Sequence, residues 1–161
     1  MSCTTSKFVG RDVPMEFFIG CGDLMPEEAD WVPIGALRSK EASVEWDTVD
    51  ATADDTVGSI RENLATYKSY TISADGVCKR ADGTESNQTL LYKHVLDPVA
   101  TGGQPVAWVR ITYPDVTVVA FMLFSTMSRS VPYDEVATFS LEATSTVSDF
   151  GIVVTDTPVV P

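Results

Sequence analysis

The chain has 161 residues, enough to bury a core within one domain without metals or cross-links. Its 11 Lys and Arg stand against 23 Asp and Glu, a formal net charge of −12 at pH 7. That balance argues against gripping nucleic acid or anionic lipid, where affinity comes from cations meeting phosphates, and no apolar run approaches the ~18 residues of a membrane helix.

The first residues, MSCTTSKFVGRDV, lack the apolar stretch of a secretory leader, and residues 1–12 read as an N-terminal arm. Val13 to Cys21 reads as a first strand, with Pro14 near its start suggesting an edge. An acidic loop, GDLMPEEADW, follows, and Trp31 to Leu37 is a second extended piece. Ala42 to Val49 alternates, setting Val44, Trp46 and Thr48 against Glu45, Asp47 and Val49. Beyond it, Val57, Ile60, Leu64 and Tyr67 recur at helical spacing, with Asp54, Asp55 and Thr56 as caps, so a short helix is expected. Tyr70 to Ala74 reads as a strand stopped by a turn at Asp75-Gly76, and Asp82-Gly83 is a second turn signal.

Ser86 to Leu96 is the next helix, capped by Ser86 and ended by Pro98 and the Gly102-Gly103 pair. Val106 to Thr112, Thr117 to Thr126 and Tyr133 to Thr144 read as strands, the first two joined by a turn at Pro114-Asp115. Residues 151–161 end in prolines and read as a C-terminal arm, leaving 13–150 as the domain. Six or seven strands with turn signals and one or two short helices predict a mainly β fold. An antiparallel β-sandwich or barrel with a flanking α-helix fits best.

Little in the sequence carries chemistry. Cys3, Cys21 and Cys78 form neither a CxxC pair nor a disulfide framework, and free thiols suit a reducing compartment. His94 is the one histidine, and in an amphipathic helix it is expected to pack rather than catalyse. No phosphate loop, nucleophile elbow or calcium loop is legible. Trp31, Trp46 and Trp108 lie in separate strands beside acidic residues, where core packing is their expected role. Catalytic residues, cofactors and metal ligands are therefore not assigned, and the protein is expected not to be an enzyme.

One strand does ask for an explanation. Thr117 to Phe124, TVVAFMLF, is apolar on both faces, whereas a strand of an isolated antiparallel sandwich alternates. Either the helix covers its second side or a neighbouring copy does, which makes Val119, Phe121 and Leu123 candidates for an intersubunit contact.

The stretch SKEASVEWDTVDATADDTVGSIRENLATYKSYTISADGV resembles the major tail (tail tube) proteins of long-tailed, siphovirus-type bacteriophages. A charged-aromatic-charged strand leads into an Asp/Thr-rich loop, then into an aromatic-Thr-Ile-Ser-x-Asp-Gly strand. PVAWVRITYPD and AFMLFSTMSRSVPYDEVATFSLEATS continue the likeness, which runs roughly from Met15 to Phe150. The resemblance implies a tail-tube-like β-sandwich with a flanking helix, assembling into hexameric rings that stack as a hollow tube. The tube's partners would be copies of this chain, a tape measure protein and terminator or tip proteins, with double-stranded DNA passing through unbound and no membrane contact. It would belong to the virion tail, assembled in the host cytoplasm. The loop after the second strand would reach the next ring, naming Asp50, Asp54, Asp55, Val57, Ile60, Arg61 and Leu64 as ring-stacking candidates. An acidic bore suits such a tube, and alternation offers Glu45, Asp47, Thr138, Ser140 and Glu142 as lumen-facing residues. Two rival readings are an extracellular immunoglobulin-like adhesion or fimbrial module, and a small hydrolase or ligand-binding barrel. The first expects a leader and paired cysteines, the second a pocket with convergent polar groups.

Overall fold

Two strands rich in β-branched and aromatic residues, β5 (Val106–Thr112) and β6 (Val116–Ser130), form the hairpin around which the rest of the chain is arranged. They pair from Val106↔Leu123 to Thr112↔Thr117, and Tyr113 N–H donates to Val116 O across the expected Pro114-Asp115 turn. The computed structural model describes residues 7–55, 57–79 and 86–156. In chain order the remaining elements are β1 (Met15–Phe18), β2 (Val32–Pro33), β3 (Leu37–Asp50), β4 (Asn63–Val77), α1 (Asn87–Leu96), β7 (Thr138–Ser145) and β8 (Val153–Asp156). The sheet order is β2-β1-β5-β6-β7-β4-β3, with β8 also pairing β6, and every pairing is antiparallel.

β6 turns the sheet back on itself. Its first half pairs with β5 and β8, its second half with β7, and a register irregularity between Phe124 and Thr126 marks the change. One curled sheet therefore presents a single inner face. Met15 and Phe17, Ile72 and Ala74, Val109 and Ile111, Met122 and Phe124, and Phe139 and Leu141 meet there in one buried cluster. Helix α1 closes its open side through Leu91, which is fully buried.

Ser86 caps that helix as its sequence suggests, accepting from Thr89 N–H at 3.2 Å. The buried polar residue Gln88 ties it to the sheet: its amide donates to Gly35 O (2.8 Å) and Val77 O (3.2 Å) and accepts from Lys79 N–H (2.9 Å). His94 is buried and its Nε2 donates to Val106 O at 2.8 Å, so it packs and bonds within the fold.

Several expectations are corrected. The helix expected over Asp54 to Tyr67 does not form: residues 51–55 and 57–62 are loop, and Leu64 and Tyr67 lie in β4. Gly58 (φ 77°) and Ser59 (φ 55°) turn the chain through the left-handed region, and pairing of β4 along β3 replaces the marginal helix. Asp75-Gly76 is not a turn, because both residues pair within β4, against Ser39 and Leu37. A Cβ on Gly76 would lie 2.4 Å from Ala36 O, so glycine serves a close backbone approach there. The last long strand begins at Thr138, and Tyr133 and Val136 are exposed loop residues. Val153–Asp156, in the segment read as an arm, pairs with Val116 to Val119. The turn signal at Asp82-Gly83 and the caps' third member, Thr56, fall outside the described residues.

Candidate functional site: an acidic, hydroxyl-lined sheet face and a projecting hairpin

The outer face of β6, β7, β4 and β3 is built from every second residue of each strand. Register sets Glu41, Ser73, Glu142 and Thr126 in one row across the four strands, and Ser39, Asp75, Ser140 and Ser128 in the next. Ser43, Thr71 and Thr144 form a third, with Glu45 opposite Ser69 beyond it and Thr138 opposite Ser130 at the other end. The face carries carboxylates and hydroxyls and scarcely any cation; Arg38 stands at its margin, lining a shallow groove with Asp75, Ser128 and Thr138. Many hydroxyls satisfy one another or the acids: Ser128 and Ser140 share a hydrogen bond of 2.7 Å, and Ser39 Oγ donates to Asp75. Such groups present no fixed cation to a passing phosphate, and the carboxylates repel it over the ~8–10 Å screening length.

Thr138, Ser140 and Glu142 are thus brought together on this face, with Glu45 further along the same side. Asp47 falls at the irregularity between Trp46 and Thr48, where alternation breaks, and its carbonyl accepts from Thr66 Oγ1 at 3.0 Å. Sequence reasoning missed Glu41, Ser73, Asp75, Thr126 and Ser128. The signal was present in the period-two run Ser69, Thr71, Ser73, Asp75, obscured once Asp75 was read as a turn residue.

The second feature is the β3–β4 hairpin, paired from Leu37↔Gly76 to Asp50↔Asn63. From Ser43 to Asp50 and from Asn63 to Ser69 every residue is exposed, so this half stands clear of the body. It carries large apolar side chains into solvent: Val44, Trp46, Val49, Leu64 and Tyr67 on the strands, and Val57 and Ile60 (87% and 72% exposed) at the tip. Trp46 therefore does not pack in the core as expected; Lys68 Nζ lies 5.6 Å from its ring. Trp31 stacks under Arg110, 5.0 Å from the guanidinium, and only Trp108 is fully buried.

The tip is held at its base. Asp50 accepts from Thr52 N–H (2.9 Å) and Thr52 Oγ1 (2.5 Å), which hold its carboxyl below the usual carboxylate range, side-chain bond first. Thr52 Oγ1 in turn accepts from Glu62 N–H at 2.8 Å. Of the stacking candidates, Asp54, Asp55, Val57, Ile60 and Arg61 belong to this tip, while Asp50 ends β3 and Leu64 is the second residue of β4. Exposed apolar groups concentrated on a projecting element mark a contact surface.

The two-sided apolar strand has an internal explanation. Ala120, Met122 and Phe124 face the main core, while Phe121 faces outward and is only 7% exposed. Trp108 covers it at a centroid distance of 5.2 Å, and its ring lies against Gly22. Residues 20–23 and 146–150 form the lid: Trp108 Nε1 donates to Cys21 O (3.1 Å), Thr146 N–H to Phe121 O (2.9 Å) and Asp149 N–H to Gly22 O (3.1 Å). Phe121 is thus covered within one chain without α1 or a sister molecule, while Val119 and Leu123 are half-buried.

Comparison with known proteins agrees with this architecture. The family described as phage tail tube protein matches residues 10–148. No curated protein matches the sequence. Among solved structures, the chain is similar to one from the virion of a native gene transfer agent particle, at a TM-score of 0.67 and 20% identity. That match covers 94% of this chain and 100% of the other. It is also similar to the SPP1 tail tube (TM-score 0.62, 12% identity, 94% and 80% covered). A third likeness is to a chain of the anti-feeding prophage baseplate (TM-score 0.57, 14% identity, 96% and 97% covered). The mainly β fold with one helix is the one these structures share. A family match across most of its length shows that the chain belongs to the phage tail tube proteins, and it is a structural subunit of a virion tail.

Proposed function

We propose that six copies form a ring, that rings stack into a hollow tube, and that the four-stranded face of β6, β7, β4 and β3 is the lumen wall. The continuous row-by-row acidic and hydroxyl surface carries this reading. Among the described residues no strand pairs with the outer edge of β3, or with that of β6 beyond Phe124. Because the four strands alternate in direction, β3 of one copy meets β6 of the next antiparallel, and ring closure leaves no edge open. Six copies supply 24 strands; at about 4.8 Å per strand and a tilt near 40° the backbone circle has a radius of roughly 24 Å. That bore admits duplex DNA with room for wall side chains and water.

In this reading Glu41, Glu45, Asp75 and Glu142 line the channel with Thr138 and Ser140, and viral DNA passes to the host without binding. A similar tail, that of the empty gene transfer agent particle, has sixfold symmetry, which supports the ring number. A tape measure protein occupying the bore before ejection and terminator or tip proteins at the ends complete the assembly, which takes place in the host cytoplasm. The test is a virion carrying Glu45→Lys and Glu142→Lys. Tubes of normal length should form, and DNA ejection should slow severalfold, most at low salt. Ejection at the normal rate from such tubes would remove these residues from the lumen.

A further inference from the structure

The chain's few cations are not spread evenly. Arg11, Arg38 and Lys40 line one cleft of about 420 Å³, between the segment leading into β1 and the start of β3. Its one acidic lining residue is Glu41, and its floor is apolar, with Leu37, Ile111 and Tyr113. Arg11 and Arg38 are exposed, and neither makes an ion pair among the described residues. Lys40 donates to the carbonyls of Gly10 and Val13, so no carboxylate among the described residues balances it, and burial holds its pKa below the usual lysine value. A cationic, apolar-floored cleft on a strongly acidic protein calls for an acidic, apolar occupant.

The hairpin tip has that composition. It carries Asp50, Asp54, Asp55 and Glu62 against one cation, Arg61, with Val57 and Ile60 projecting into solvent. It cannot reach its own cleft. Arg38 and Asp50 lie 12 residues apart along one paired strand, a separation of about 40 Å at 3.3 Å per residue. A two-stranded ladder does not fold back over that length. We propose that the cleft receives the hairpin tip of a second copy, Asp54 and Asp55 meeting Arg11 and Arg38 while Val57 and Ile60 cover the apolar floor. Tip and cleft are different surfaces, so the contact is head-to-tail and propagates instead of closing a pair. Each joint then advances the assembly by roughly the hairpin's length, about 40 Å. This inference rests on the tube-subunit reading and adds to it the receptor for the tip.

Charge reversal on each side tests it. Arg11→Glu with Arg38→Glu, and separately Asp54→Lys with Asp55→Lys, should each reduce sedimentable tube by about tenfold or more. The unassembled chains should melt as wild type does. Mixed in equal amounts, the two variants should recover assembly, because every tip then finds a cleft of opposite sign. A cleft-reversed protein that polymerises like wild type, or a mixture no better than its components, overturns the proposal. Loss of assembly on deleting residues 2–6, with tip reversal silent, would give the cleft to the N-terminal segment and overturn it equally. A wild-type protein that never forms tubes would instead refute the tube reading itself.

Discussion

Phe121→Ala separates the two explanations of the doubly apolar strand. Phe121 is 7% exposed within one chain, tilted 49° against Trp108 and pressed on Gly22. Truncating a buried Phe costs about 3–5 kcal/mol, and the lower end applies here because the lid loops can partly collapse. A loss of about 3 kcal/mol lowers the melting temperature by roughly 6–12 °C for a domain of this size. With a urea slope near 2 kcal/mol/M it moves the midpoint by about 1.5 M. The assay is urea and thermal unfolding of the unassembled protein, followed by Trp fluorescence, since Trp108 is the ring's neighbour. If the variant unfolds within about 0.5 kcal/mol of wild type yet fails to assemble, Phe121 is covered by a sister molecule and the reasoning here is wrong.

Four further substitutions probe other parts of the fold. Gln88→Leu keeps side-chain bulk but strands Gly35 O, Val77 O and Lys79 N–H; it should cost about 2–4 kcal/mol in chemical denaturation. Gly76→Ala would force β3 and β4 apart at Ala36 and should cost at least about 2 kcal/mol; an unchanged melting temperature would show that the approach can relax. Ile60→Asp and Leu64→Asp lie on exposed hairpin positions; each should leave monomer stability within about 0.5 kcal/mol while shortening tubes in electron micrographs.

Aromatic and β-branched runs with turn residues between them made the β class legible, and α1 could be placed to within a residue because Ser86 caps it and Pro98 and two glycines end it. Alternation in Thr138 to Ala143 identified the two faces of β7, since period-two patterning follows from the pleat alone. The residues joining those faces into a wall were harder to see, because the rows run across strands whose partners are tens of residues away. Glu41, Ser73, Glu142 and Thr126 become neighbours only through register.

Two features were decided by tertiary structure alone. Val57, Ile60, Leu64 and Tyr67 fit a helical period, yet the fifteen-residue strand β4 runs along β3 and β7 instead, since a ladder satisfies backbone groups that a short isolated helix holds only marginally. The outer side of β6 at Phe121 looked open in the sequence and is closed by residues 20–23 and 146–150 of the same chain. The acidity, the hydroxyl alternation and the sparse catalytic inventory follow from composition and local spacing. Which apolar surfaces remain for other molecules depends on what the chain covers for itself, and distant segments must be brought together before that is determined.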